Sequence, residues 1–394
     1  TLDELRMTHP EDADLLELRF RELASVHQLA TRFNVAESTF YVMQRNAISR
    51  YANCLLKLND EVHAIHKVML NRRLESPTYV NLIGVQQYLD SLYALLLDPA
   101  PPWIILVAGI GGIGKTSLAH TTVTKMIESG KIDEVSWVSA KQERFNLGGA
   151  ILPVDQPALT TDALIERLLC QLLPDLNHGI SQAQKLIALQ SRLKAIPHII
   201  VIDNLETLQD VTTLLPMLQT LSNPTKFVLT SRTNLYDEPN IYHLLLPELA
   251  AAATIELIRQ EARYSNAGGL LAATDEELMP IVETVGGNPL ALRLVVGQTH
   301  VHNLDSILGH LRRAHGESVE NLYTYIYRYA WDRLDTVSQR AFLLMPLANP
   351  TGDDLDYLAE VGNIEEGLLR KALDQLVKLN LVDVRGSLNG RQYS

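Results

Sequence analysis

One stretch constrains the chain more than any other: residues 103–117, WIILVAGIGGIGKTS. The apolar, β-branched run Ile104, Ile105, Leu106, Val107 predicts a buried strand, a glycine-rich turn follows, and a helix-forming stretch begins at Lys115. The spacing Gly109-x-x-x-x-Gly114-Lys115-Thr116 fits a phosphate-binding loop in full, in the required context of strand before and helix after. Gly109, Gly111, Gly112 and Gly114 let backbone N–H groups close around phosphate oxygens without Cβ clashes. The positive end of the following helix adds to that field. Lys115 is expected to reach β- and γ-phosphates, and the Thr116 hydroxyl to hold Mg²⁺. An ordinary strand–turn–helix with a surface lysine is the alternative, but four glycines in register with Lys-Thr favour the phosphate reading.

At 394 residues the length suggests two to four domains, each able to bury its own core. A net charge of −12 argues against a chain that binds nucleic acid or membranes through overall charge. Cys54 and Cys170 have no metal or redox spacing and sit in apolar helical stretches, so both are expected as buried, reduced thiols of a cytoplasmic protein. No apolar run reaches membrane-spanning length, because Asp98, Pro99, Pro101 and Pro102 break the longest candidate. The scattered histidines, including His63, His66, His300, His302, His310 and His315, lack partners at metal spacing.

Residues 12–24 place Leu15, Leu16, Leu18, Phe20 and Leu23 at helical spacing. Residues 26–51 then split into a short helix, a tight turn at Asn34 and a longer helix opened by Ser38 or Thr39, with Leu29, Phe33, Val35 and Phe40 packing the junction. Asn34 can take the left-handed conformation that glycine usually supplies. Residues 54–74 continue as helix, and Ser76-Pro77-Thr78 marks a linker. This pattern resembles the helix-turn-helix of bacterial sigma factors and transcription regulators. Under that reading Ser38, Thr39, Tyr41 and Gln44 face a major groove, with Arg45 and Arg50 near phosphate. A small helical bundle serving as a protein adaptor is the alternative, since the basic footprint of residues 25–56 is mild.

Downstream of the loop, residues 134–140 (EVSWVSA) are a second strand candidate and residues 162–173 and 181–196 read as helices. Residues 198–203 (HIIVID) form a buried strand ending in Asp203, placed to hold Mg²⁺ through water beside Thr116. Residues 226–232 (KFVLTSR) end in Arg232, where an arginine can sense a γ-phosphate. Residues 241–246 complete five parallel strands.

Residues 286–292 (GGNPLAL) follow some fifty residues after the arginine-tipped block. In order, GIGGIGKTS, WVSA, IIVIDNL, KFVLTSR and GGNPLAL resemble the blocks of the signal-transduction ATPases with numerous domains (STAND), the NB-ARC or AP-ATPase group that includes plant disease-resistance proteins and apoptotic-protease activating ATPases. The resemblance covers about residues 78–394 and implies a multidomain α/β plus α chain. Its parts would be a helix-turn-helix-like domain at 1–75, a P-loop nucleotide domain at 76–246, a helical domain at 247–320 and a winged-helix domain at 321–394. It also implies an ATP/ADP site formed by Leu82, Ile83, Gly109, Gly111, Gly112, Ile113, Gly114, Lys115, Thr116, Ser117 and Pro289, with Leu82 and Ile83 flanking the base and Pro289 packing near it. Gly84 is followed by Val85, Gln86 and Gln87 where relatives often carry an arginine, so no arginine is expected on the base there. Where many relatives have a second acid after the buried strand, this chain has Asp203-Asn204, with Glu206 as a substitute base. An amide orients water but cannot take its proton, so hydrolysis is expected to be slow.

The implied function is a switch, closed with ADP and opening or self-associating on exchange for ATP with Mg²⁺. The alternative is a nucleotide-controlled transcription regulator that reads duplex DNA through residues 12–56. A third reading, an enzyme acting on another molecule, finds no second catalytic constellation in the sequence. The resemblance further implies a ligand-sensing repeat domain that these residues do not contain.

Overall fold

The computed structural model describes residues 2–77, 79–140, 143–145, 151–153, 159–176, 179–205, 208–300, 303–312, 331–349, 352–379, 381–382, 384–387 and 390–394. They divide into two compact units, Thr1–Arg72 and Arg73–Ser394.

The first unit is all helical: α1 (Leu2–Thr8), α2 (Pro10–Leu16), a π turn over Glu17–Arg21, α3 (Val26–Arg32) and the long α4 (Glu37–Asn71). Its core gathers Leu5, Leu15, Leu29, Ala30, Phe40 and Ala47, with Phe33 and Val35 packed against them. Ser25 and Gln28 form a capping box that starts α3. Asn34 has φ 54°, the left-handed geometry that turns the chain between α3 and α4. The second helix opens one residue earlier than its sequence suggests, at Glu37 after Ala36, and no side chain caps it.

The second unit begins with α5 (Gln86–Leu97) and β1 (Ile104–Ala108), then α6 (Lys115–Glu128) and β2 (Val135–Ser139). A hairpin of β3 (Glu143–Phe145) and β4 (Ile151–Pro153) follows, then α7 (Thr161–Leu172), α8 (Gln182–Ala195), β5 (Ile199–Leu205), α9 (Leu208–Leu221), β6 (Lys226–Ser231) and β7 (Ile241–Leu245). Five strands form one parallel sheet in the order β2-β5-β6-β1-β7. Strands buried on both faces read as unbroken apolar runs, which is why they were visible in the sequence. One face sets Ile104, Leu106, Ile200, Ile202, Phe227 and Leu229 against side chains of α7, α8 and α9. The alternate residues Ile105, Val107, Val201 and Val228 are fully buried too, and α6 lies against β1, β5 and β6. This is a P-loop NTPase-like α/β fold, with the glycine loop leaving the carboxyl end of β1.

Beyond the sheet, α10 (Ala251–Ser265), α11 (Gly268–Ala272), α12 (Asp275–Val285), α13 (Pro289–Gln298) and α14 (Leu304–Arg312) share a second core built on Leu257, Ile258, Leu278, Ile281, Leu292 and Val295. A third core joins α15 (Thr336–Leu344), α16 (Leu355–Gly362) and α17 (Glu366–Lys378) with the antiparallel hairpin β8 (Val384–Ser387) and β9 (Gly390–Tyr393). The end of α17 is tied to the exit of β6: the Asn234 backbone N–H donates to the Lys378 carbonyl at 2.7 Å, and the Lys378 ammonium pairs with Asp237. The sequence expectation of buried cysteines fails. Cys54 is half-buried and Cys170 exposed, because Leu164, Ile165, Leu168, Leu169 and Leu172 take the inward face of α7.

Burial holds the imidazoles of His198 and His243 below their ordinary 6.5. The native state therefore binds fewer protons than the unfolded chain just under that pH. The stability they contribute is complete above about 6.5 and is lost as pH falls. The carboxyls lowered by hydrogen bonds, Glu276 and Asp335, act only in more acid solution. The thermal midpoint of the second unit, followed by near-UV circular dichroism, is expected to be level from neutral pH upwards and to drop between about pH 6.5 and 5. A level profile through that window would contradict this origin.

Candidate nucleotide-binding site

Three functional side chains meet at the carboxyl ends of the parallel strands, where ligands of such sheets bind. Asp203, fully buried on β5, accepts two hydroxyl hydrogen bonds on Oδ1, from Thr116 at 2.8 Å and from Thr230 on β6 at 2.6 Å. The pairing of Thr116 with Asp203 was the metal-holding pair expected from the sequence. A carboxylate beside a hydroxyl is the hard-oxygen donor set that suits Mg²⁺, whose remaining ligands are commonly water and phosphate oxygens. Among the described residues no group of three or more His, Cys, Asp or Glu is arranged around a metal position.

Lys115 opens α6 behind Gly114, is buried, and donates through Nζ to the carbonyls of Gly109 at 2.8 Å and Ile110 at 2.9 Å. The loop thus presents its ammonium already folded across its own mouth. Arg232, one residue past β6, is buried and lines the same cavity. Asn204 also lines it, at a register irregularity between β5 and β6 and with φ 67°. Its backbone N–H donates to the Thr230 hydroxyl at 2.7 Å. Left-handed backbone at this position favours Asn among residues with a side chain. Glu206, the substitute base, lies outside the described residues.

The cavity has a volume of about 430 Å³. Its walls include Gly111, Gly112, Ile113, Gly114, Lys115, Thr116 and Ser117 from the loop, Leu82 and Ile83 from the segment before α5, and Pro289 from the start of α13. Gly109 is not on the wall; its carbonyl serves Lys115 instead. Leu82 and Ile83 are half-buried, and Ile83 packs on the core of α10–α14.

Sequence reasoning took Pro289 from its block and passed over the residue before it. Asn288, nearly fully buried, caps α13 by accepting from the N–H groups of Leu290 at 3.0 Å and Ala291 at 3.3 Å. Its Nδ2 donates to the carbonyl of Gly111 in the phosphate loop at 2.9 Å. Asn followed by Pro is a readable helix start, but the reach to the loop is a tertiary fact. Two glycines permit the approach. A Cβ on Gly112, where φ is 76°, would stand 2.6 Å from the Leu290 Cβ, and one on Gly287 would stand 2.2 Å from the Leu249 carbonyl oxygen.

Other wall residues were missed too, among them Tyr79, His120 and Arg293. The Tyr79 hydroxyl contacts His120 Nδ1 at 2.8 Å and accepts from the Thr121 hydroxyl at 2.6 Å. Burial holds the His120 imidazole below its ordinary range, against the opposing pull of Glu75, so it is neutral at pH 7. No motif marks Tyr79 or His120.

In the first unit, Ser38, Thr39, Tyr41 and Arg45 are exposed along the start of α4, while Gln44 is half-buried. Arg50 is already committed, donating to the largely buried Asp12 carboxylate at 2.5 Å.

No family model matches the chain. Among curated proteins it is similar to the signal recognition particle proteins of two Helicobacter pylori strains, 36% and 35% identical over 96 residues. The chain covers about a fifth (21%) of each of these relatives. Among solved structures it is similar to a STAND protein with a tetratricopeptide repeat sensor from Pyrococcus horikoshii, 16% identical with a TM-score of 0.38, over 81% of this chain and 41% of that one. Drosophila ORC bound to DNA is 12% identical with a TM-score of 0.41, over 84% and 88%. Rhizobiales Trip13 is 13% identical with a TM-score of 0.34, over 59% and 90%. The P-loop fold stands on the chain's own strand order, glycine loop and buried Asp203.

Gly112→Ala is expected to force the phosphate loop and α13 apart, because left-handed backbone and the Leu290 Cβ both oppose a methyl group. Added strain of about 1–3 kcal/mol would show as a lower denaturation midpoint and weaker nucleotide binding together. Unchanged values for both, by denaturant titration and fluorescent-nucleotide titration, would contradict the close approach.

Proposed function

We propose that this chain is a STAND-type switch that binds ATP or ADP with Mg²⁺, closed with ADP and opened for self-association when ATP replaces it. The observation that carries the reading is the Asn288 amide seated on the Gly111 carbonyl. Through it, the element GGNPLAL and the phosphate loop wall one cavity, so a nucleotide there touches two bodies whose separation is the proposed output. Leu82, Ile83 and Pro289 supply apolar surface for a base, and the loop N–H groups with Lys115 supply the anion site. Mg²⁺, held by Thr116 and Asp203, would neutralise phosphate charge. Arg232 adds a buried cation at the end of β6, placed on the chain that continues to Asn234 and its clasp on α17.

Asn204 can orient an attacking water but cannot take its proton, which favours slow turnover and a long-lived bound state. A ligand present at ~100 times its dissociation constant adds about 2.7 kcal/mol to the state it prefers, enough to set a two-state equilibrium. On this reading the four domains are the helix-turn-helix-like 1–75, nucleotide 76–246, helical 247–320 and winged-helix 321–394 segments.

Lys115→Ala is expected to weaken ADP binding about 10- to 100-fold, the worth of a hydrogen bond to a charged group. Fluorescent-nucleotide titration of the full chain measures it. Unchanged affinity in a folded variant would remove the phosphate-loop assignment.

A second reading has the first unit contacting duplex DNA, favoured by the exposure of Ser38, Thr39, Tyr41 and Arg45 in one run behind the Asn34 turn. Arg50, held by Asp12, is not available to it as a free cation. Binding should then be salt-dependent, and Arg45→Ala should weaken it uniformly across sequences while lowering the salt slope by about 1. Absence of duplex binding by the full chain at low salt would end this reading.

A further inference from the structure

The helix α4 runs unbroken from Glu37 to Asn71, yet among its residues only Phe40, Ala47 and Leu70 are buried. Its first half is anchored on the core of the first unit, which reaches as far as Tyr51 and Cys54. Beyond that point large apolar side chains face solvent: Leu55 is 44% exposed, Val62 63%, Ile65 62% and Met69 59%. Globular proteins rarely leave so many in one line without a use.

Their spacing is that of a two-stranded seam. Ile48, Leu55, Val62 and Met69 recur every seven residues, and Tyr51, Leu58 and Ile65 stand three places after the first three of them. These are the a and d positions of a heptad. Tyr51 packs on the first unit's own core, so the free seam is Leu55, Leu58, Val62, Ile65 and Met69.

We propose that this seam pairs with the same seam of a second copy of the chain, as a parallel, in-register helix dimer. The flanking e and g positions from 54 to 68 are Cys54, Asn59, Glu61, His66 and Val68, so Glu61 is the one acidic or basic residue beside the seam apart from the histidine. In parallel register a g residue faces the e residue five places on, which sets Glu61 beside the partner's His66 and leaves no like charges opposed. Antiparallel pairing that sets Leu58 against the partner's Val62 brings Glu61 near the partner's Glu61 and is disfavoured. Within its own helix Glu61 faces only Lys57, at 3.8 Å with both side chains exposed.

The free seam spans fifteen residues, about 22 Å. So short a coil would not form from unfolded peptides. Here the helix is already held by its anchored first half, and the ordering cost of association is reduced accordingly. The pairing uses no residue of the nucleotide cavity and stands or falls separately from the switch reading.

Sedimentation velocity of the full chain with ADP, the state in which the switch reading has no self-association, tests it at micromolar concentrations, with nucleotide binding measured alongside. The wild-type chain is expected to approach twice the monomer mass. Val62→Glu with Ile65→Glu, both at exposed positions, should weaken self-association about 100-fold or more and leave nucleotide binding and circular dichroism unchanged. Asn53→Glu, on the opposite face of the helix, should change nothing. With Cys54→Ala and Cys170→Ser to remove the native thiols, Leu58→Cys should give a covalent dimer on mild oxidation and Asn53→Cys should not. A wild-type chain that stays monomeric, or an assembly that survives the double substitution, would overturn the proposal. So would a dimer that Leu58→Cys cannot cross-link.

Discussion

The second unit depends on how closely α13 can approach the phosphate loop. Gly287 lies where only hydrogen fits against the Leu249 backbone, whose N–H donates to the Gly287 carbonyl at 3.0 Å. That pairing aims Asn288, and Asn288 uses its oxygen on the first turn of its own helix and its nitrogen on Gly111. A buried amide with both ends engaged is costly to disturb, because either partner left alone loses its desolvation compensation. The cavity is therefore walled by two bodies that Asn288 ties together at the phosphate loop.

The other half of the cavity is set by electrostatics. Asp203 sits fully buried near the end of β5, tied by Thr230 to β6 and by Thr116 to the start of α6. Two buried cations, Lys115 and Arg232, lie on the same wall. Such a combination is suited to a polyanion with a divalent cation, because opposite charges attract most strongly in a region shielded from water. From Arg232 the chain runs two residues on to Asn234, whose backbone N–H bonds the Lys378 carbonyl at the end of α17, so the cavity wall and the last helical core are linked by a short stretch of chain and a hydrogen bond.

Much of this was legible in the sequence for identifiable reasons. The strands were visible because burial on both faces writes an apolar run, and the loop because its spacing has few other uses. Thr116 and Asp203 could be paired because one opens the helix after the loop and the other lies near the carboxyl end of its strand, at the same edge of the sheet. Asn288 was not legible, because its capping role is local whereas its bond to Gly111 spans the two cores. Tyr79 and His120 carry no pattern; only the packed segment before α5 brings them together. Cys170 misled because an apolar sequence neighbourhood does not say which side of a helix is inward. The seam on α4 is a period of seven in an ordinary-looking helix, and it acquires meaning only once the helix is seen to outrun its core.

The central claim is that the cavity between the phosphate loop and α13 holds an adenine nucleotide. Denaturing the purified chain and separating the released small molecules by chromatography tests it most directly. The account predicts ADP at close to one per chain, or an empty chain that fills with ADP or with ATP and Mg²⁺ when they are added. A chain that carries no nucleotide and takes up neither would contradict it.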